Sequence, residues 1–93
     1  MKMKVSDLLS DENKWCKGQY AMDANGKTVH EQSELASKWC IAGAAMRCEY
    51  TSGEHRDLQR RMLVVTKDTI ANWQDRPECT FVEVRELLLS IGH

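Results

Sequence analysis

The sequence predicts an α+β fold that is predominantly α, with four to five short helices around a central helix and one β-hairpin. Apolar residues recur at three- or four-residue steps in several segments, which is the spacing of one face of a helix. Asn25-Gly26 is a strong hairpin-turn signal. A length of 93 residues supports a single compact domain, 1–93, with an adequate core.

The central helix is predicted over 33–49, with Ser33 as its N-cap. Three alanines narrow its flanks, and Gly43 has no side chain, so we expect a neighbouring element to approach closely there. Gly43→Leu should therefore cost more stability than Ala44→Leu. The predicted face consists of residues at helical spacing: Leu35, Trp39, Gly43, Met46 and Tyr50.

The N-terminal third predicts one short helix and the hairpin. Apolar residues at helical spacing place a first helix within 4–13. The hairpin is predicted over 18–30, with Asn25-Gly26 as a two-residue type I′ turn. Pairing outward from that turn sets Asp23 against Thr28 and Met22 against Val29.

The C-terminal half predicts helices separated by a loop. A helical pattern runs over 54–66, and a short helical turn capped by Asp68 is predicted over 69–73. Pro77 predicts a loop over 74–79 because proline cannot continue a helix. Thr80 and Glu83 fit the capping box of a last helix that ends at Gly92.

Charge and hydropathy exclude some classes of partner. The net charge of −1 gives no reason to expect nucleic acid or an anionic membrane. Asp7, Asp11 and Glu12 interrupt any apolar run near the N-terminus, so neither a signal peptide nor a membrane span is expected. The predicted location is the cytoplasm.

The chain has four cysteines, which a cytoplasmic protein keeps reduced. Zinc sites use closely spaced ligand pairs, and every Cys and His spacing here is wider, so we expect no metal and no cofactor. An alternative is an enzyme that pairs Cys16 or Cys40 with His30 or His55. Tryptophans beside both thiols form an apolar environment that disfavours the reactive thiolate.

Three ordered motifs carry a resemblance to a known family. They are W-C-K-G-Q-Y-A-M-D-A-N-G at 15–26, K-W-C-I-A-G-A at 38–44, and I-A-N-W-Q-D at 70–75, followed by Thr80 and V-R-E-L-L-L at 84–89. The chain resembles DUF6197, a family of small proteins of unknown function from bacteria and phages. Gln74 stands where the family pattern has Asn, and Cys79 precedes Thr80. The resemblance implies a fold and no activity. It marks as structural motif residues Trp15, Cys16, Gly18, Asp23, Gly26, Trp39, Cys40, Gly43, Trp73 and Thr80.

The predicted function is that of a small non-enzymatic protein-interaction domain of phage or mobile-element origin. Its expected partner is a host protein, such as a defence-system component that it inhibits. The alternatives are a Cys/His-based enzyme or metal-binding domain, and a nucleic-acid-binding module. Loops on a rigid scaffold are common binding sites. As the binding site we prefer the loop over 74–79, together with the arginines of the helix over 54–66, to the hairpin tip at 23–27. The partner-binding candidates are therefore Asp75, Arg76, Glu78, Arg56, Arg60 and Arg61.

Overall fold

The computed structural model describes residues 3–93. Helices dominate, and a two-stranded antiparallel sheet completes the fold, so the predicted class, α+β and mostly helical, is confirmed. Within the described residues, no helix is both long enough and apolar enough to cross a membrane. The elements in chain order are α1 (Val5–Leu8), a 3₁₀ turn (Glu12–Lys14), β1 (Ala21–Met22), β2 (Lys38–Trp39), α2 (Ile41–Arg47), α3 (Ser52–Thr66), α4 (Ile70–Gln74) and α5 (Phe81–Ile91).

The sheet joins segments that lie far apart in sequence. Ala21 of β1 pairs with Trp39 of β2. Val29 N–H donates to the Ala21 carbonyl on one side, and Cys16 N–H donates to the Trp39 carbonyl on the other. Four short extended segments therefore share one hydrogen-bonded layer. A pair of two-residue strands alone would not be stable in water.

The predicted turn is present, but its register is wrong by one residue. Asp23 N–H donates to the Lys27 carbonyl at 2.9 Å, and Met22 lies opposite Thr28 rather than Val29. The loop thus has three residues, and only Gly26 has a positive φ, of 82°. The cause is the Asp23 carboxylate, whose Oδ1 accepts the N–H groups of both Asn25 and Lys27.

The predicted helix over 33–49 is wrong at its N-terminal end, because α2 begins only at Ile41. Trp39 is held extended by its pairing with β1, and Cys40 is the N-cap, its Sγ accepting Gly43 N–H at 3.3 Å. Leu35, placed by the sequence on the buried face, is 69% exposed. Sheet pairing has overridden a helical pattern, as tertiary contacts commonly do.

Gly43 does lie at a close approach. The neighbour is the backbone of Tyr20, just before β1, and a Cβ on Gly43 would lie 1.9 Å from the Tyr20 carbonyl oxygen. Ala44 on the same helix is also fully buried, so leucine would be too large at either position. Gly43→Leu should still cost more stability than Ala44→Leu, because at Gly43 the obstructing atoms belong to the backbone.

Local capping signals set the helices of the C-terminal half. Thr51 and Glu54 form a capping box that begins α3 at Ser52, two residues earlier than predicted. Thr69, rather than Asp68, caps α4. The last helix has the predicted capping box, and it ends at Gly92 in the left-handed conformation. The first helix is shorter than predicted, since α1 ends at Leu8 and the 3₁₀ turn follows separately.

The hydrophobic core lies between α2, α3 and α5 and is closed by the N-terminal segment and the sheet. Most of its members are fully buried aliphatic side chains. Tyr50, Trp15, Trp73 and Phe81 pack around it. The largest fully buried side chains are Leu9, Ile41, Leu58, Met62, Leu88, Val5 and Val84.

Candidate interaction site

The second half of α3 exposes three consecutive aliphatic side chains. Leu63, Val64 and Val65 are 52%, 67% and 56% exposed. The helix buries Leu58 and Met62 instead, so these three residues add nothing to the core. We call Leu63-Val64-Val65 the aliphatic ridge.

A shallow groove lies on one side of the ridge, between α3 and α5. Val64 and Val65 form one wall, and Ser90 and Ile91 form part of the other. Arg60 and Arg61 also line it, so aliphatic and positively charged side chains share the groove.

The three predicted arginines differ in how tightly they are held. Arg61 Nε contacts Asp57 at 2.9 Å, and its Nη1 donates to the Ile91 carbonyl at the end of α5, so Arg61 fastens two helices. Arg60 forms an exposed ion pair with Asp57 at 3.3 Å. Arg56 is exposed and has no ion pair within the described residues. Arg56 and Arg60 are therefore the arginines most available to a partner.

A larger cavity of about 670 Å³ lies on the other side of the ridge. Leu63 borders it, and α4, the start of α2 and the segment before β1 supply the remaining walls. Most of the lining is apolar and includes Tyr20, Ala42, Ile70 and Ala71. Gln74 and Asp75 contribute polar groups to it.

Gln74 joins the cavity to the fold. The residue is only 3% exposed, and its Oε1 accepts the backbone N–H of Ile41 at 3.0 Å, at the start of α2. This bond fixes the orientation of the side-chain amide. Gln74 lines the cavity, and its Nε2 donor has no hydrogen-bond partner among the described residues.

The predicted loop over 74–79 is held by several contacts, so its charged residues have structural partners. Asp75 Oδ1 accepts Gly18 N–H at 3.2 Å, and Lys17 Nζ donates to the Arg76 carbonyl at 2.6 Å. Arg76 Nε donates to the Trp73 carbonyl at 2.7 Å, and its guanidinium lies 5.3 Å from the Trp73 ring centre. Glu78 and Glu83 complete its ion pairs. Partner binding through Asp75, Arg76 and Glu78 stays a prediction.

Charge reversal at Arg76 tests this structural role. Arg76→Glu removes the bond to Trp73 and places a carboxylate beside Glu78 and Glu83, so we expect a loss of about 1–2 kcal/mol in the free energy of unfolding. Urea denaturation measures it. Arg56→Glu, at an exposed position on α3, is the control and should stay within about 0.5 kcal/mol. Equal stabilities of the two variants would contradict the role given to Arg76.

The indole N–H groups of the motif tryptophans differ in their partners. Trp39 Nε1 donates to the Glu31 carbonyl at 3.1 Å. Trp15 Nε1 is buried and has no acceptor within the described part of the chain.

All four cysteines are buried, and none forms a disulfide within the described residues. Burial, with a smaller contribution from the nearby Cys40, raises the pKa of the Cys16 thiol to about 11, and burial raises the pKa of Cys79 as well. A raised pKa disfavours the thiolate that nucleophilic catalysis needs. Within residues 3–93, no group of three or more His, Cys, Asp and Glu side chains is arranged to hold a metal ion.

A second polar cluster links the chain end to α3. His93 Nε2 donates to Asp57 Oδ2 at 2.7 Å, and His93 Nδ1 lies 2.9 Å from the Tyr50 hydroxyl. The Tyr50 oxygen also accepts Val5 N–H. Hydrogen bonds from His93 and Arg61 lower the pKa of the Asp57 carboxyl from 3.8 to about 2. The cluster therefore fastens α1 and the end of α5 to α3.

Asp57 should contribute to the acid stability of the fold. Because its pKa is lower in the folded state, its stabilisation is present above pH 3.8 and is lost as the pH falls towards about 2. Asp57→Asn should be less stable than the parent at pH 7, and this gap should shrink between about pH 4 and pH 2. Urea midpoints across that range measure it. A gap that is constant with pH would contradict the ionic role.

The described residues thus form a small, mostly helical α+β domain whose most distinctive surface is an aliphatic ridge between a groove and a cavity. The family model of DUF6197, a family of unknown function, matches residues 3–91, and the chain belongs to this family. No curated protein and no solved structure matches the chain.

Sequence reasoning missed the ridge and the cavity. The signal for the ridge was available, since three consecutive aliphatic residues in a helix cannot all face one core. The cavity had no local signal, because its walls come from four separate segments.

Proposed function

We propose that this protein is a non-enzymatic protein-interaction domain that contacts its partner through the aliphatic ridge. The observation that carries the proposal is the exposure of Leu63, Val64 and Val65, all above one half, on a helix that has other residues for the core. Contiguous exposed apolar surface on a small domain commonly marks an interaction site.

The charges around the ridge define the partner's surface. Arg56 and Arg60 lie on the same helix as the ridge, and the groove beside Val64 is lined by Arg60 and Arg61. Protein interfaces commonly have an apolar centre and a polar rim, and complementary charge at the rim speeds association. The proposed partner surface is aliphatic or aromatic at its centre and acidic where it faces Arg56 and Arg60.

The proposed target is a host protein, with a defence-system component as the leading candidate. This part rests on the resemblance to a family with phage members, and on the small size of the chain. The proposed place of action is the cytoplasm, an environment that keeps thiols reduced. Four buried cysteines that form no disulfide within the described residues are consistent with it.

The test compares a ridge variant with a matched helix-surface variant. Val64→Lys places a charge in the ridge, whereas Val82→Lys makes the same change at a valine that is 62% exposed at the start of α5. Val82 lies about 12 Å along α5 from Ser90, which borders the groove. Proteins captured from a bacterial lysate by the parent are identified, purified, and measured for direct binding to each variant.

We expect Val64→Lys to weaken direct binding at least tenfold, and Val82→Lys to bind as the parent does. Both variants should keep the parent's circular dichroism and melting temperature, since both positions are exposed. Normal binding by a folded Val64→Lys protein would overturn the proposal, as would an equal loss in Val82→Lys.

A further inference from the structure

We propose that the cavity beside the ridge receives a short extended segment of the partner, in which an aliphatic or aromatic residue is followed by Lys or Arg. This inference rests on the proposed function, because it gives the occupant of a cavity that borders the proposed contact surface. Three features of the cavity carry it: its apolar walls, one unpartnered amide donor and one carboxylate.

The apolar walls fit a hydrophobic side chain. Tyr20 and Leu63 are each more than half exposed at the cavity, and Ile70 and Ala71 of α4 face it as well. Its volume of about 670 Å³ lies within the range of pockets that hold drug-sized ligands. One side chain would leave much of that space empty, so the occupant includes neighbouring residues and their backbone.

Gln74 supplies a hydrogen-bond donor for that backbone. Its Oε1 is held by Ile41 N–H, so the side-chain amide cannot turn over without leaving a helix-start N–H unpaired. The Nε2 group is therefore fixed as a donor with no partner among the described residues. Among the described residues only Trp15 Nε1 is a fully buried side-chain donor without a partner, so Gln74 Nε2 keeps contact with solvent. A backbone carbonyl of the bound segment is an acceptor that would pair with it.

Asp75 sets the charge of the occupant. It is the only charged residue among the described residues that line the cavity. Gly18 N–H holds Oδ1 at 3.2 Å and fixes the carboxylate at the edge of the cavity, which leaves Oδ2 as an acceptor. The complementary group is a Lys or Arg side chain next to the apolar residue.

The cavity is continuous with the ridge through Leu63, which belongs to both. A partner segment in the cavity would therefore bring the following surface of the same partner onto Val64. This shared residue favours a protein segment over an unrelated small molecule as the occupant.

Titration of ¹⁵N-labelled protein with capped peptides tests the inference. The probes are acetyl-Ala-Leu-Lys-Ala-amide and acetyl-Ala-Phe-Lys-Ala-amide, with Leu-Glu and Ser-Lys versions as comparisons. We expect at least one of the first two to cause saturable shifts of the Gln74 side-chain NH₂ and of backbone amides at 69–75. The Leu-Glu and Ser-Lys peptides should bind at least fivefold more weakly.

Two α4 variants locate the peptide. Ala71→Phe fills the cavity at an exposed alanine and should abolish the saturable shifts, whereas Asn72→Phe adds the same ring at an exposed residue outside the cavity lining and should leave them. No saturable shifts with either Lys peptide, equal binding of the Leu-Glu peptide, or normal binding by Ala71→Phe would each overturn the inference.

The two proposals fail in different ways. If Val64→Lys lost partner binding but the parent protein bound neither Lys peptide, only the proposed occupant of the cavity would be overturned. Peptide binding with unchanged partner binding by Val64→Lys would overturn the ridge as the contact surface.

Discussion

Gly43→Ala should destabilise the protein more than typical overpacking, so that little folded protein remains at 37 °C. The added Cβ would lie 1.9 Å from the Tyr20 carbonyl oxygen and 2.7 Å from its carbonyl carbon. Overpacking usually costs about 1–3 kcal/mol, but here the obstructing atoms are backbone and cannot rotate away. Either α2 or the segment before β1 must shift, and that segment also accepts Cys40 N–H. Thermal unfolding followed by circular dichroism measures the effect.

Gly53→Ala is the matched control, since it also replaces a helical glycine by alanine. Nothing lies closer than 3.9 Å to a Cβ at Gly53. Alanine has the higher helix propensity, so the variant should be as stable as the parent or more stable by up to about 1 kcal/mol. Melting temperatures of the two variants within 2 °C of each other, an order-of-magnitude criterion of about 0.5 kcal/mol, would contradict the packing of α2 on Tyr20.

Trp39→Ala should lower the free energy of unfolding by about 3–5 kcal/mol. Trp39 is 6% exposed, and it connects the sheet to α2 and to the segment before β2. Its Nε1 donates to the Glu31 carbonyl, and the Arg47 guanidinium lies 5.4 Å from its ring centre. The free energy of unfolding of a single-domain protein is about 5–15 kcal/mol in total, so this one truncation removes a large fraction of it.

Trp39→Phe separates packing from hydrogen bonding. It keeps an aromatic ring in the core and removes the indole N–H, so we expect a loss of about 1–2 kcal/mol. Equilibrium urea denaturation of both variants gives the comparison. If Trp39→Ala cost no more than Trp39→Phe, the ring would not be packed as described.

The helices of the C-terminal half were predictable because their signals are local. Thr80 and Glu83 sit three residues apart and satisfy each other's backbone amides, and Gly92 supplies the left-handed end of α5. The same chemistry at Thr51 and Glu54 begins α3. The apolar pattern predicted this helix only over 54–66, so its start was placed two residues late although the capping signal was present.

The sheet could not be predicted in the same way. Trp39 pairs with Ala21, eighteen residues earlier in the sequence, and nothing in the sequence near Trp39 indicates this partner. Its helical spacing with Gly43 and Met46 was real but had no consequence, because the pairing holds Trp39 extended. A strand of two residues is too short to show the alternation by which strands are recognised.

The candidate site was predicted in part. Arg56 and Arg60 were named and lie on the helix that carries the ridge, whereas Arg61 and Arg76 are occupied in holding the fold. The loop over 74–79 was predicted as a binding site, and most of its charged residues have partners within the fold. The exposure of the ridge was not predicted, because it depends on how the other elements pack around α3 and not on the pattern of that helix alone.

Amide hydrogen exchange of the protein, alone and bound to its captured and purified partner, tests the proposed contact surface most directly. Binding at the ridge and cavity predicts added protection at Leu63, Val64 and Val65 and along α4, with little change in the turn at 23–27. Added protection confined to that turn, with unchanged exchange at 63–65, would contradict the ridge as the contact surface.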